Sequence, residues 1–170
     1  MAHGSLQINK RIEYALRAVI CLAELPDGHI MSFRDIAARE SIPQDFLAKI
    51  LRALVTHDLI FSLRGARGGY GLSRSPQQIR FLDVIEAIDG PIQINTCMDD
   101  KSKCEVHELC SMYTVWETAQ DAMVGVFRSH TIGDVMRPDR VCENLIRFGE
   151  HRSKPISPAQ SVTLKRGGKA

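Results

Sequence analysis

The chain has 170 residues, 44% of them hydrophobic and 25% charged, with 22 Lys or Arg against 20 Asp or Glu for a formal net charge of +2. This composition is ordinary for a globular protein, and the length suits one domain, or a small domain with an appendage, around a core that needs no disulfides. No apolar run approaches the ~20 residues of a membrane span. No N-terminal stretch has the layout of a secretion signal, so a cytoplasmic protein without membrane contact is expected. Met1 to Ser5 read as a leader outside the fold. A charge of +2 does not by itself imply nucleic acid, but its distribution is uneven: Phe61 to Arg74 holds three arginines and no acid, and His151 to Ala170 holds five Lys or Arg and no acid.

In chain order, the apolar residues Ile12, Ala15, Leu16, Val19, Ile20, Leu22 and Ala23 repeat at helical spacing, predicting a helix over 8–25 that stops at Pro26-Asp27-Gly28. Ser32 followed by Asp35 is a capping pattern that opens a short helix over 31–39. Pro43 suits the first turn of a third helix, in which Leu47, Ile50, Leu51 and Leu54 form one apolar face and Gln44, Lys49 and Arg52 lie elsewhere. The period then changes. Leu59 to Leu63 is rich in strand formers, Arg64-Gly65-Ala66-Arg67-Gly68-Gly69 is a turn with positive φ available at three glycines, and Tyr70 to Ser73 is the returning strand. Three helices followed by a hairpin read as a winged helix-turn-helix.

Phe81 to Ile88 predicts a short helix stopped by Gly90-Pro91, and Asn95 to Cys110 a polar loop. Met112 to Ser129 predicts the longest helix, carrying Met112, Val115, Trp116, Ala119, Ala122, Met123, Val126 and Phe127. So small a chain has little of its own to cover that stripe. A twofold homodimer through Met112, Val115, Trp116, Ala119, Met123 and Val126 is therefore expected. Thr131 with Asp134 caps a last short helix, and the tail from 137 is expected to be mobile and basic. The fold class expected is mainly α with a small β-hairpin wing. Its parts are a winged helix-turn-helix over 6–91, a cysteine-bearing loop over 92–111, a long dimerisation helix with a capping helix over 112–136, and the tail over 137–170.

A winged helix-turn-helix binds double-stranded DNA through its third helix and its wing. Gln44 and Lys49 are placed to reach base edges, while Arg52, Arg64 and Arg67 suit phosphates, and Gly68 lets the wing backbone approach the duplex. A dimer would present two such helices to a palindromic operator. The alternative is a helical domain with a solvated arginine turn. No Ser–His–Asp set, phosphate loop or apolar carboxylate pair is present, so an enzyme has no support.

Three of the five cysteines, Cys97, Cys104 and Cys110, lie in the polar loop at spacing C-x6-C-x5-C, among charged residues that keep the loop solvated. Thiolates are the usual ligands of iron–sulfur clusters. Structural zinc sites usually pair ligands as C-x2-4-C, and no such pair occurs here. A cluster and a thiol/disulfide switch without metal both remain open on spacing. His107 is a further ligand candidate inside the loop. Cys21 reads as a core residue, and Cys142 as either buried or a free thiol.

Several segments resemble the IscR, NsrR and RirA class of regulators: Leu6 to Arg17 as the opening helix, Ile42 to Leu51 as the recognition helix, Arg64 to Leu72 as the wing, and Asp83 to Pro91 after it. The resemblance covers about residues 6–136. It implies a dimeric winged-helix transcription regulator, a repressor by preference, with one iron–sulfur cluster per subunit on Cys97, Cys104 and Cys110. The cluster would be [4Fe–4S] or [2Fe–2S] and would sense iron, redox state or nitric oxide. The first gap is six residues where IscR-like loops often have five, which leaves the cluster type open. Some relatives place a histidine ligand where this chain has Tyr113. Others use an acidic residue of the partner's first helix, and Glu13 aligns there as the fourth-ligand candidate. Ala48 stands where IscR-like proteins can carry an acidic base-discriminating residue, so their operator preference does not transfer.

Overall fold

The computed structural model describes residues 8–26, 28–65, 68–99, 104 and 109–137. Helix α1 (Lys10–Ala23) opens on Asn9, whose side-chain oxygen accepts the Ile12 N–H at 3.0 Å. It buries Ile12, Ala15, Ala18, Val19 and Leu22 on one stripe. Helix α2 (Phe33–Glu40) opens on Ser32, whose hydroxyl accepts the Asp35 N–H at 3.2 Å, and closes on Ser41 in the left-handed region at φ 50°. Helix α3 (Gln44–Thr56) begins just after Pro43, which stands at the cap position rather than inside the first turn and supplies no side-chain cap.

Strands β1 (Ile60–Leu63) and β2 (Gly69–Leu72) pair antiparallel, with Ile60 opposite Leu72 and Leu63 opposite Gly69. Of the three wing glycines, only Gly65 has positive φ, at 118°. Gly68 is needed for a different reason: a Cβ there would lie 2.3 Å from the Leu63 carbonyl oxygen. The hairpin is also docked at its base, where Met31 and Tyr70 exchange backbone hydrogen bonds of 2.9 and 2.8 Å. Sequence periodicity carries no sign of this isolated bridge.

Helix α4 (Phe81–Asp89) buries Leu82, Val84, Ile85, Ala87 and Ile88. A helical turn, α5 (Thr96–Asp99), interrupts what the sequence reads as plain loop. Helix α6 (Tyr113–Ser129) follows, and after it comes a 3-10 turn at Ile132–Asp134, shorter than the helix expected there. That turn folds back on the start of α4: the Ile132 N–H donates to the Ile79 carbonyl at 2.8 Å, and Ile132 is fully buried. The core therefore takes in both sides of the cysteine-bearing segment. No described helix is long and apolar enough to cross a membrane.

Helix α6 buries none of its residues. Phe127 packs against the core, and Trp116 and Met123 are half-buried. Met112, Val115, Ala119, Ala122 and Val126 are exposed, at a spacing of three and four residues.

A buried ion pair ties α1 to α2. The Glu24 carboxylate meets the Arg39 guanidinium, with side chains only 3% and 9% exposed. Taking two charges from water is costly, and removing one partner leaves the other uncompensated. Arg39→Met is expected to destabilise the fold by about 3–5 kcal/mol in urea unfolding, whereas Glu24→Leu with Arg39→Met recovers most of that loss. Gly69→Ala should also destabilise, because its Cβ would fall 2.6 Å from the Met31 carbonyl oxygen, a backbone atom fixed by the bridge to Tyr70.

Candidate nucleic-acid interface and cysteine loop

The burial of Leu47, Ile50, Leu51 and Leu54 fixes which face of α3 looks outward. Asp45, Lys49 and Arg52 lie on the outward ridge, all exposed, with Gln44 and Ala48 exposed on one flank. On the other flank Phe46 is 47% exposed. Its ring stands edge-on to Tyr14 at 6.2 Å, and the Arg17 guanidinium lies 5.8 Å from the Tyr14 ring centre. Arg11, Asp45, Phe46 and Lys49 line an open recess of about 380 Å³ between α1 and α3. Arg64 is exposed directly after β1, beside Leu63 at 43% exposure. Arg67 lies outside the described residues.

Arg34 is a cation that pattern reading passes over. It is exposed in the first turn of α2, the helix that crosses the DNA backbone in helix-turn-helix proteins. A lone arginine on the polar side of a short helix gives no signal until the helix is placed beside α3.

Cys97 lies in α5, where the Met98 N–H donates to the Asn95 carbonyl at 2.9 Å. Cys110 accepts the Tyr113 N–H on its carbonyl at 3.3 Å, just before α6. Cys97, Cys104 and Cys110 are free and half-exposed. Three uncommitted thiols of this kind match the donor chemistry of an iron–sulfur cluster. Among the described residues, however, no three Cys, His, Asp or Glu side chains are gathered closely enough to hold a metal ion. His107 and Cys142 lie outside the described residues.

Glu13 sits on α1 between two cations, 2.6 Å from Lys10 Nζ and 3.7 Å from Arg17. The Lys10 hydrogen bond holds its carboxyl below the usual carboxylate range, so it is a ready anion. Arg17 also reaches Glu40 at 3.3 Å, which links Glu13 to the end of α2. The foot of the cysteine-bearing segment is tied to the same helix: Arg11 donates to the Ile88 carbonyl at 3.2 Å and pairs with Asp89 at 3.2 Å.

Cys21 differs in kind. It is fully buried beside Met31 Sδ at 3.6 Å, and burial pushes its thiol up to about 12. The thiolate is the reactive form. With metal-free protein at neutral pH, iodoacetamide is expected to label Cys97, Cys104 and Cys110 well before Cys21, as read by peptide mass mapping. Equal labelling rates would contradict the burial of Cys21.

The family model described as Rrf2, iron-dependent transcriptional regulator, matches residues 8–138. A Mycobacterium tuberculosis protein described as an HTH-type transcriptional regulator is 32% identical over 130 residues, 76% of this chain and 81% of that protein. The HTH-type transcriptional regulator IscR of Cronobacter sakazakii is 23% identical over 160 residues, 94% of this chain and 98% of its own. Among solved structures, T. potens IscR matches with a TM-score of 0.62 and 25% identity over 76% of this chain and 85% of that one. CymR, the global cysteine regulator of B. subtilis, matches with a TM-score of 0.64 and 28% identity over 77% and 96%. With its three helices, antiparallel wing and exposed third-helix ridge, the chain belongs to the Rrf2 family of transcriptional regulators, DNA-binding proteins and not enzymes.

Proposed function

We propose that the chain acts as a homodimeric repressor whose affinity for a palindromic operator is set by an iron–sulfur cluster on Cys97, Cys104 and Cys110. The observation that carries this reading is where the thiols lie. They stand on the connection between α4, part of the DNA-binding core, and α6, whose outer stripe has no cover among the described residues. A group that binds them acts on the joint between the two halves. Thiolate ligands favour iron–sulfur chemistry, and such a cluster supplies sensitivity to iron supply, oxidation or nitric oxide. Either [4Fe–4S] or [2Fe–2S] is compatible with three thiolates. A partner subunit's Glu13 is our fourth-ligand candidate, His107 a weaker one. To serve, Glu13 gives up its hydrogen bond with Lys10.

In this reading α3 enters the major groove, with Gln44 and Lys49 near base edges and Arg52 at phosphate. The wing brings Arg64, Arg67 and Gly68 against the backbone. The exposed Met112, Val115, Ala119 and Val126, with Trp116 and Met123 beside them, meet the same helix of a second copy.

Free thiols that are not gathered also suit a metal-free disulfide switch, and spectroscopy separates the two. Protein prepared without oxygen is expected to be coloured, with iron and acid-labile sulfide, and Cys104→Ala to be colourless. Full colour and iron in Cys104→Ala would remove the loop as the site. Arg64→Ala is expected to weaken operator binding and to lower the salt slope by about two, one for each subunit of the dimer; an unchanged slope counts against the wing contact. Val115→Asp is expected to halve the mass seen by light scattering, and a mass that stays at two chains would place the interface elsewhere.

A further inference from the structure

We infer that Asp45 selects a cytosine in each half of the operator, by accepting a hydrogen bond from the exocyclic 4-amino group. The inference rests on α3 being the helix that reads bases, and it goes beyond that assignment by naming one base and one acceptor.

The direction of Asp45 follows from the core. Leu47, Ile50, Leu51 and Leu54 face inward. At about 100° per residue, the opposite midline of the helix runs through Asp45, Lys49, Arg52 and Thr56. All four are exposed. Asp45 stands in the first turn, the part of a recognition helix that contacts base edges. Among the described residues no ion pair engages its carboxylate, although Lys49 and Arg11 line the same recess.

A carboxylate brought between phosphates is repelled, and once stripped of water it needs a donor. The base edges of the major groove differ in what they offer. Guanine presents two acceptors, and thymine an acceptor and a methyl group. Adenine sets its amino donor beside the N7 acceptor. Cytosine presents its amino group with no acceptor next to it on the same base. Asp45 is therefore drawn to cytosine and turned away from the other three, so part of the selection is repulsive. Lys49, one turn on, has the opposite chemistry and suits guanine acceptors. An acid in the first turn also favours the helix dipole, but that role changes stability and carries no base preference.

The test uses the full-length wild-type protein and Asp45→Ala. Each is used to select duplexes from a random pool. The preferred duplex is then remade with the specified cytosine replaced by a pyrimidin-2-one nucleotide that lacks the amino group. Wild type is expected to require cytosine at one position per half-site and to lose about tenfold or more in affinity on removal of the amino group. Asp45→Ala is expected to accept any base there and to be indifferent to the analogue, with its thermal unfolding little changed. Retained cytosine preference in Asp45→Ala, or no specified cytosine in wild type, overturns the role of Asp45. If Lys49→Ala and Gln44→Ala also leave the selected sequence unaltered, α3 itself is not the base reader, and both assignments fall.

Discussion

The close approach of helices on α1 is the constraint from which the rest of the structure follows. Ala15 and Ala18 have no exposed surface, and Val19 and Leu22 complete the same stripe. Two small side chains in the middle of the helix let α3 and α4 press against it, while α2 and β2 also contact it. Larger residues there would push these elements apart, and in a close-packed interior such a shift has nowhere to be absorbed. The angle of α3 relative to the wing is thus set from behind, by α1, so the surface we propose for DNA is arranged by the core.

The same helix gathers the charges that join functional parts. Its polar side carries Glu13, Arg17 and Glu24. Arg17 bridges Glu13 to Glu40, and Glu24, at the end of α1, takes the adjacent Arg39 out of water at the same end of α2. Arg11 fastens the end of α4, from which the cysteine-bearing segment departs. Helix α3 begins a few residues after Glu40 and borders the recess that Arg11 lines. A disturbance at the cysteines, or at Glu13, therefore meets α1 before it meets α3. The contacts of Lys10, Arg11 and Arg17 are exposed or partly exposed, so they can exchange partners at modest cost, while the buried Glu24–Arg39 pair stays fixed with the core.

Much of this fold was legible in the sequence because its signals are local. The 3.6-residue period gave α1, α3 and α6, Ser32 and Pro43 marked helix starts, and the change of period at Leu59 marked the hairpin. What pattern reading missed is non-local. The Met31–Tyr70 bridge, the return of Ile132 onto Ile79 and the exposure of Arg34 depend on which elements become neighbours. The wing glycines show the limit well: positive φ was open to all three, but Gly68 is needed because the Leu63 carbonyl comes so close. The three thiols were conspicuous from their spacing. Their ligand was not, because the described loop residues do not converge and donor geometry is where metal chemistry becomes specific.

The most direct test of the account is the affinity of one preparation for one selected operator, measured without oxygen before and after removal of iron and sulfide. Coupling between two sites in a regulator is typically ~5–150-fold. The account predicts a change within that range in wild type, with recovery when the cluster is rebuilt. Equal affinity in the two states, from protein shown to carry and then to lose its cluster, would contradict it.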